Sequence, residues 1–254
     1  MAGVIEEPLT GGNVTESVVR VGDTVRRSRG AGSAFASRVL VHLESVGFAH
    51  APRFLGVDEQ GRDVLDFVPG RTTDHPSQRA VGAYRLGARM LKALHEATAG
   101  HALAGSEECV IHGDPGPYNT VFREGLPVVL IDWDAARPGR AIDDVGFMAW
   151  TWCLQVEGNV PIAEQAAHLR EFSDGYGNGY GSAYGGGYGD VEPERLIEAM
   201  LRRQAEVAVS EAAKATDERL SPQRRRHAKA AAAWAADHRR LVEENRCVLL
   251  SALE

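Results

Sequence analysis

The segment His112-Gly113-Asp114-Pro115-Gly116-Pro117-Tyr118-Asn119 is followed by the apolar run Val128 to Ile131 and then by Asp132-Trp133-Asp134. Together they hold three oxygen-bearing side chains at intervals that suit phosphoryl transfer. That reaction asks a protein for position and charge neutralisation: one carboxylate to orient an attacking hydroxyl and accept its proton, and further oxygen ligands for magnesium. Asp114 has the residue type for the first role. Asn119, on the same tight loop, can turn an amide oxygen toward a metal held near that carboxylate, and Asp132 arrives at the end of the next apolar strand as a charged ligand. Pro115-Gly116-Pro117 has the composition of a fixed turn and not of a helix.

The elements that must position this set are readable on either side of it. Val18 to Val21 and Thr24 to Arg27 read as short strands joined by Gly22-Asp23, preceded by a glycine turn at Leu9-Thr10-Gly11-Gly12-Asn13. Phe35, Val39, Leu40, Leu43 and Val46 form one helical stripe that Gly47 terminates. Pro52 to Val57 and Arg62 to Val68 then read as a hairpin, and Val68-Pro69-Gly70 as a hinge. A long helix is expected over residues 77–99, with Val81, Tyr84, Leu86, Met90, Leu91 and Leu94 at helical spacing. Val110-Ile111 and Val128 to Ile131 frame the loop as buried strands. Asp143-Asp144-Val145 opens a further helix with acidic residues at its positive end, and helices follow over 196–215 and 221–250. The basic cluster Arg224 to Arg226 reads as a solvated helix face. The Gly/Tyr-rich segment 175–189 reads as a loop insertion. The expected class is α+β: a small antiparallel sheet with one main helix over 1–68, and a mostly helical part over 69–254 that contains the loop 112–119 and the motif 131–134.

HGDPGPYN followed by IDWD resembles the aminoglycoside phosphotransferase family, whose members carry H-G-D-x-x-x-x-N and then I-D-W-[DE]. The resemblance extends to Leu86-Gly87 and Leu94-His95 before the loop and Asp144-Val145 after it, and Phe172-Ser173-Asp174-Gly175-Tyr176-Gly177 resembles a family F-x-D-x-Y-G turn, with the remainder of the Gly/Tyr-rich segment as the insertion. It implies a bilobal, protein-kinase-like fold and transfer of a phosphoryl group from ATP or GTP, with Mg2+, to a hydroxyl of a small molecule, plausibly an antibiotic or other natural product. Asp114 would be the base, and Asn119 and Asp132 the metal ligands. Gly11 and Gly12 would lie over the nucleotide phosphates, and Leu65, Phe67 and Val68 would offer backbone groups to the nucleobase. His112, Asp134 and Asp144 would support the site.

Two features depart from the family pattern. Where a strand lysine usually pairs with a helix glutamate, the strand here offers Arg26 or Arg27, and the first half of the helix has no acid. Arginine can clamp phosphate with two N–H groups; strand alternation lets one of the two face the cleft, and motif alignment favours Arg26. Only 16 residues separate His95 from His112, which leaves no room for the helices that usually wall the sugar pocket. The acceptor site would then draw on Trp150, Trp152 and Glu157 and on the C-terminal helices. A competing reading is a non-catalytic immunity or sequestering protein on the same scaffold that binds a toxin or metabolite. A protein kinase fits less well, because Trp133-Asp134 follows Asp132 in place of Phe-Gly and no A-P-E segment follows.

Charge and apolar content are ordinary for a soluble globular protein. A chain of 254 residues can bury a sizeable core, and a net charge of −7 disfavours nucleic acid as a partner. Three scattered cysteines with no C-x-x-C pattern indicate a reducing compartment and no structural metal. No apolar run approaches the roughly 18 residues of a membrane span, so a cytoplasmic monomer or homodimer without membrane association is expected.

Overall fold

β-branched segments separated by two tight turns pair as the sequence pattern predicts, and the sheet they form carries the first half of the site. The computed structural model describes residues 6–9, 18–177 and 191–254. The strands β1 (Glu7–Pro8), β2 (Val19–Val21), β3 (Thr24–Arg27), β4 (Phe54–Val57) and β5 (Asp63–Asp66) form one antiparallel sheet in the order β1-β2-β3-β5-β4. Arg27 stands opposite Asp63, and Val25 opposite Leu65. The helix α1 (Ser33–Ser45) buries Ala36, Val39, Leu40 and Leu43 and ends at Gly47, whose φ of 75° an L side chain would strain.

The remaining chain is mostly helical: α2 (Ala83–Thr98), α3 (Ala141–Cys153), α4 (Ile162–Gly177), α5 (Pro193–Thr216), α6 (Pro222–Glu244) and α7 (Arg246–Leu253). Two strand pairs interrupt it. β6 (Cys109–Ile111) pairs with β9 (Arg137–Gly139), and β7 (Thr120–Arg123) with β8 (Leu126–Leu130), both antiparallel. The fold is therefore the bilobal, kinase-like arrangement expected. The lobes are tied through His50: Leu130 N–H donates to His50 O at 2.9 Å, and the His50 ring donates to Val128 O; just past the hinge, Arg71 and Phe122 exchange N–H···O bonds of 3.1 and 2.8 Å.

The core of the helical lobe lies among α2, α3, α4 and α5, where Leu91, Leu94, Met148, Leu169, Phe172 and Met200 are fully buried. Each such side chain contributes about 1.5–3 kcal/mol relative to an exposed one. Two expectations need correction. The helix expected over 77–99 starts at Ala83, because Gly82 takes a φ of 89° just before it; Val81 is wholly exposed and Leu86 half so, neither being core. Phe172 to Gly177, expected as a turn, is the last part of α4.

Gly175 explains why that glycine-bearing segment is a helix. A Cβ there would lie 2.5 Å from Arg85 O and 2.7 Å from Arg85 Cα, so its absence lets α4 press against α2. The rest of the Gly/Tyr-rich segment, residues 178–190, lies outside the described residues. Gly175→Ala should therefore push α4 off α2 and cost about 1–3 kcal/mol in urea unfolding; an unchanged midpoint would contradict the close packing.

Candidate active site

β6 ends at Ile111 and delivers the loop into the cleft. Its geometry is set from behind by Asp144 in the first turn of α3. Asp144 is buried; its Oδ2 accepts from His112 N–H at 2.6 Å and its Oδ1 from Gly113 N–H at 2.9 Å. His95 of α2 reaches the same carboxylate through Nε2 at 3.3 Å, and its Nδ1 lies 2.8 Å from the hydroxyl of Tyr176 in α4. Burial alone would raise the Asp144 pKa, but the His95 hydrogen bond and the loop N–H groups outweigh it and hold the carboxyl below its ordinary value. His112 is buried, and its Nε2–H donates to Ile131 O at 3.1 Å. Desolvation pushes its pKa down, so the ring is neutral. Gly113 has a φ of 84°, and a Cβ there would meet Ala135 O at 2.4 Å. The glycine lets the loop pass against the turn that follows Asp132.

Asp114 emerges half-buried from this brace. Both of its carboxylate oxygens are engaged: Oδ1 accepts from the Tyr118 hydroxyl at 2.9 Å, and Oδ2 from Asn119 Nδ2 at 2.9 Å. Asn119 Nδ2 also donates to Asp114 O at 3.0 Å. With its amide nitrogen turned inward, its amide oxygen faces away from Asp114. Desolvation raises the Asp114 pKa, which the Tyr118 and Asn119 hydrogen bonds counter in part. Trp152 supports the loop from below by donating Nε1–H to Pro115 O at 3.0 Å.

β8 leads to Asp132, which has a φ of 62° and a ψ of 65°. Among non-glycine residues aspartate is one of the few that take this left-handed region readily, and the conformation carries strain typical of functional sites. The turn Trp133–Ala135 follows, with the Trp133 indole buried and donating to Leu130 O at 2.9 Å. Asp132 and Asp134 both face the sheet lobe, where Arg27 meets them. Arg27 Nη1 lies 3.2 Å from Asp132 Oδ1, and Nη2 pairs with Asp134 Oδ2. Burial raises the Asp134 pKa against the opposing charge of Arg27. Arg27, Asp132, Asp134, Asp63, Leu65 and Trp133 line one narrow cleft.

The structure brings together Asp114, Asn119, Asp132, Asp134, His112 and Asp144, and corrects the arginine. Strand alternation does select one of the two, but Arg27 faces the cleft; Arg26 turns to the opposite face, bonds Thr24 Oγ1 at 2.7 Å and pairs with Asp58 at 3.7 Å. Asp134, expected as a support, is also the acid that the helix lacks, since it supplies Arg27 with its partner from the other lobe. Gly11 and Gly12 lie outside the described residues. Leu65 sits mid-sheet between Val25 and Phe54, and Phe67 N–H is donated to Asp23 O at 2.8 Å. Of the three residues expected to meet the nucleobase, Val68 is the one beyond that pairing. Trp150 and Trp152 are fully buried, Trp150 stacked on Trp234, so neither walls an acceptor pocket; Glu157 is exposed. Two loop braces were not read as such from the sequence, Tyr176 and Trp152, the latter expected instead at the acceptor site. Tyr176 had a signal in the F-x-D-x-Y-G pattern, whereas Trp152 had none for this role.

Amide and carboxylate oxygens converging on one cleft suit a hard cation. Among the described residues no three His, Cys, Asp or Glu side chains cluster to hold a metal unaided. A magnesium site that is completed by phosphate oxygens and water does not need such a cluster. Arg27 Nε and Asp134 Oδ1 are buried without a hydrogen-bond partner among the described residues, which leaves one donor and one acceptor for a phosphate and a cation.

A two-lobed kinase fold with an acid-and-amide loop facing a second acidic turn defines the class of kinase-like phosphotransferases. Residues 22–189 match the model of the phosphotransferase enzyme family, and the chain belongs to that family. It is 35% identical over 192 residues to the trifolitoxin immunity protein of Rhizobium leguminosarum bv. trifolii, covering 66% of this chain and 73% of that one. In fold it is similar to a choline/ethanolamine kinase family protein from Mesorhizobium loti, with a TM-score of 0.63 at 16% identity over 99% of this chain and 92% of the other. It is also similar to an aminoglycoside phosphotransferase from Streptomyces rimosus in complex with ADP and streptomycin, with a TM-score of 0.52 at 14% identity, covering 77% and 90%.

Asp144→Ala would leave two buried loop N–H groups and His95 without their acceptor and should cost about 3 kcal/mol or more in urea unfolding. The pH dependence follows from the depressed carboxyl. Its stabilisation is fully present above the unfolded value of about 3.9 and is lost as pH falls through the lower folded value. Thermal melting followed through acid should therefore show a shallower decline below about pH 4 for Asp144→Asn than for the parent protein; parallel curves would contradict the role given to this carboxylate.

Proposed function

We propose that the protein is an O-phosphotransferase that moves the γ-phosphoryl group of ATP or GTP to a hydroxyl of a small molecule, such as an antibiotic or other natural product, in the cytoplasm. The observation that carries this reading is the meeting of Asp114 and Asn119 on one loop with Asp132, Asp134 and Arg27 across the cleft. Asp114 orients the acceptor hydroxyl and takes its proton as the acceptor oxygen bonds to the γ-phosphorus and the bond from that phosphorus to the bridging oxygen breaks, releasing the nucleoside diphosphate. Desolvation raises its pKa, which strengthens it as a base. Arg27 steadies the phosphates, and its planar fork can hold two of their oxygens. Asn119 and Asp132 would hold Mg2+, which when bound neutralises phosphate charge. Val68 would meet the nucleobase, and Gly11-Gly12 would cover the phosphates. All three cysteines are free thiols, in keeping with a reducing compartment, and no helix among the described residues is long and apolar enough to cross a membrane.

A second reading rests on the similarity to a toxin immunity protein: the same cleft holds a toxin or metabolite without turnover. The two readings part on Asp114. Under the first, Asp114→Asn lowers the transfer rate by about 100-fold or more, measured as nucleoside diphosphate formed against a panel of hydroxylated antibiotics, while nucleotide binding survives. Retention of full activity would remove Asp114 from its role, and acceptor binding without turnover would favour sequestration. Arg27→Ala should weaken nucleotide binding by about tenfold or more, in line with the loss of a charge-assisted bond, whereas Arg26→Ala should leave it within about twofold. Equilibrium dialysis with labelled ATP and GTP checks both, and the reverse ranking would undo the assignment of Arg27.

A further inference from the structure

Tyr118 stands immediately before Asn119 and has no part in the chemistry assigned so far. Its hydroxyl donates to Asp114 Oδ1 at 2.9 Å, within the range a general base needs to the proton it removes. The acceptor alcohol must place its own hydroxyl there. The ring lies folded over Gly116, where an added Cβ would come within 2.4 Å of it, so this glycine permits the tyrosine to lie back along the loop. Asn119 already occupies the other carboxylate oxygen. In the structure, then, an alcohol carried by the chain itself fills the position at Asp114 that either a substrate or a water would otherwise take. Tyr118 is 44% exposed, so an acceptor can displace it without opening the core.

We propose that Tyr118 shields Asp114 from water when no acceptor is bound and thereby suppresses hydrolysis of the nucleotide. This inference rests on the phosphotransferase reading. In the suppressed reaction a water oxygen bonds to the γ-phosphorus, the bond from that phosphorus to the bridging oxygen breaks, and Asp114 takes the proton from the water; the products are nucleoside diphosphate and inorganic phosphate. A phosphotransferase faces this problem because water is always present and a positioned carboxylate activates it as readily as an alcohol. A phenol hydrogen-bonded to the base excludes water, and the acceptor must then compete with Tyr118 for Asp114. The tyrosine acts through the base and is a positioning residue.

The test needs no knowledge of the acceptor. Phosphate release from Mg-ATP and from Mg-GTP is measured for the full-length protein, Tyr118→Phe, and Tyr118→Phe combined with Asp114→Asn, with nucleotide binding and melting temperature recorded for each. Tyr118→Phe keeps the ring over Gly116 and removes only the hydroxyl. It should release phosphate about tenfold faster or more, well inside the range of general-base effects, with unchanged binding and melting. The double variant should fall back to the parent rate or below, which a merely structural role would not produce. Equal or slower release by Tyr118→Phe with binding intact would overturn the shielding role and leave the phosphotransferase reading standing. A phosphate found covalently on Tyr118 of the parent protein by intact mass would also overturn it, since the phenol would then be an acceptor. Failure of the parent protein to bind either nucleotide would overturn both.

Discussion

One guanidinium and two carboxylates hold the two lobes in register at the cleft. Arg27 projects from the sheet lobe and meets Asp132 and Asp134, which the turn after β8 presents from the other side. Neither acid is cheap to place there: burial raises the Asp134 pKa, and Asp132 sits in a strained left-handed conformation. A half-buried pair of this kind contributes little net stability, because desolvation offsets much of the attraction. What it provides is placement. In related kinases a helix glutamate steadies the strand cation; here the helix lacks that acid and Asp134 substitutes from the opposite lobe. The cation that would meet the phosphates is thus held by the same turn that would hold the metal, so under the proposed function phosphate and metal binding would be coupled through a single side chain.

The loop on the other side of the cleft depends on a separate polar chain. Tyr176 in α4, His95 in α2 and Asp144 in α3 connect three packed helices to the backbone of His112 and Gly113. A carboxylate is suited to this role because it can accept several N–H groups at once, and burial makes each of those bonds specific. Trp152 adds a fourth support through Pro115 O. Asp114 is consequently held on a loop braced by rigid helices, as its proposed role as a base that meets a hydroxyl in one orientation would require.

The parts legible in the sequence were those where chemistry and chain position coincide. HGDPGPYN and IDWD each compress a candidate set into a few consecutive residues, so Asp114, Asn119 and Asp132 could be proposed without knowing the packing, while Asp144, outside both motifs, was flagged by the wider resemblance and is bonded to the loop backbone in the structure. The choice between Arg26 and Arg27 could not. A period of two says that neighbours face opposite ways, but only the pairing of Arg27 against Asp63 and the capture of Arg26 by Asp58 say which way each faces. Helical periodicity likewise overran the start of α2, because Val81 falls on the apolar stripe while Gly82 adopts a left-handed φ that ends the pattern. Glycines at 175 and 177 suggested a turn, whereas close approach of α2 made one of them a packing requirement. Trp152 fits a core stripe so well that its bond to the loop left no trace in the spacing.

The central claim is that the cleft between Arg27 and the Asp132 turn receives a metal-bound nucleotide. Calorimetric titration of ATP and of GTP into the purified protein, with magnesium and again with EDTA, addresses it directly. The account predicts that at least one nucleotide binds with magnesium present and that its affinity falls sharply when the metal is removed. Absence of binding by both nucleotides in magnesium, or affinity indifferent to the metal, would contradict it and leave the cleft as a holding site for some other ligand.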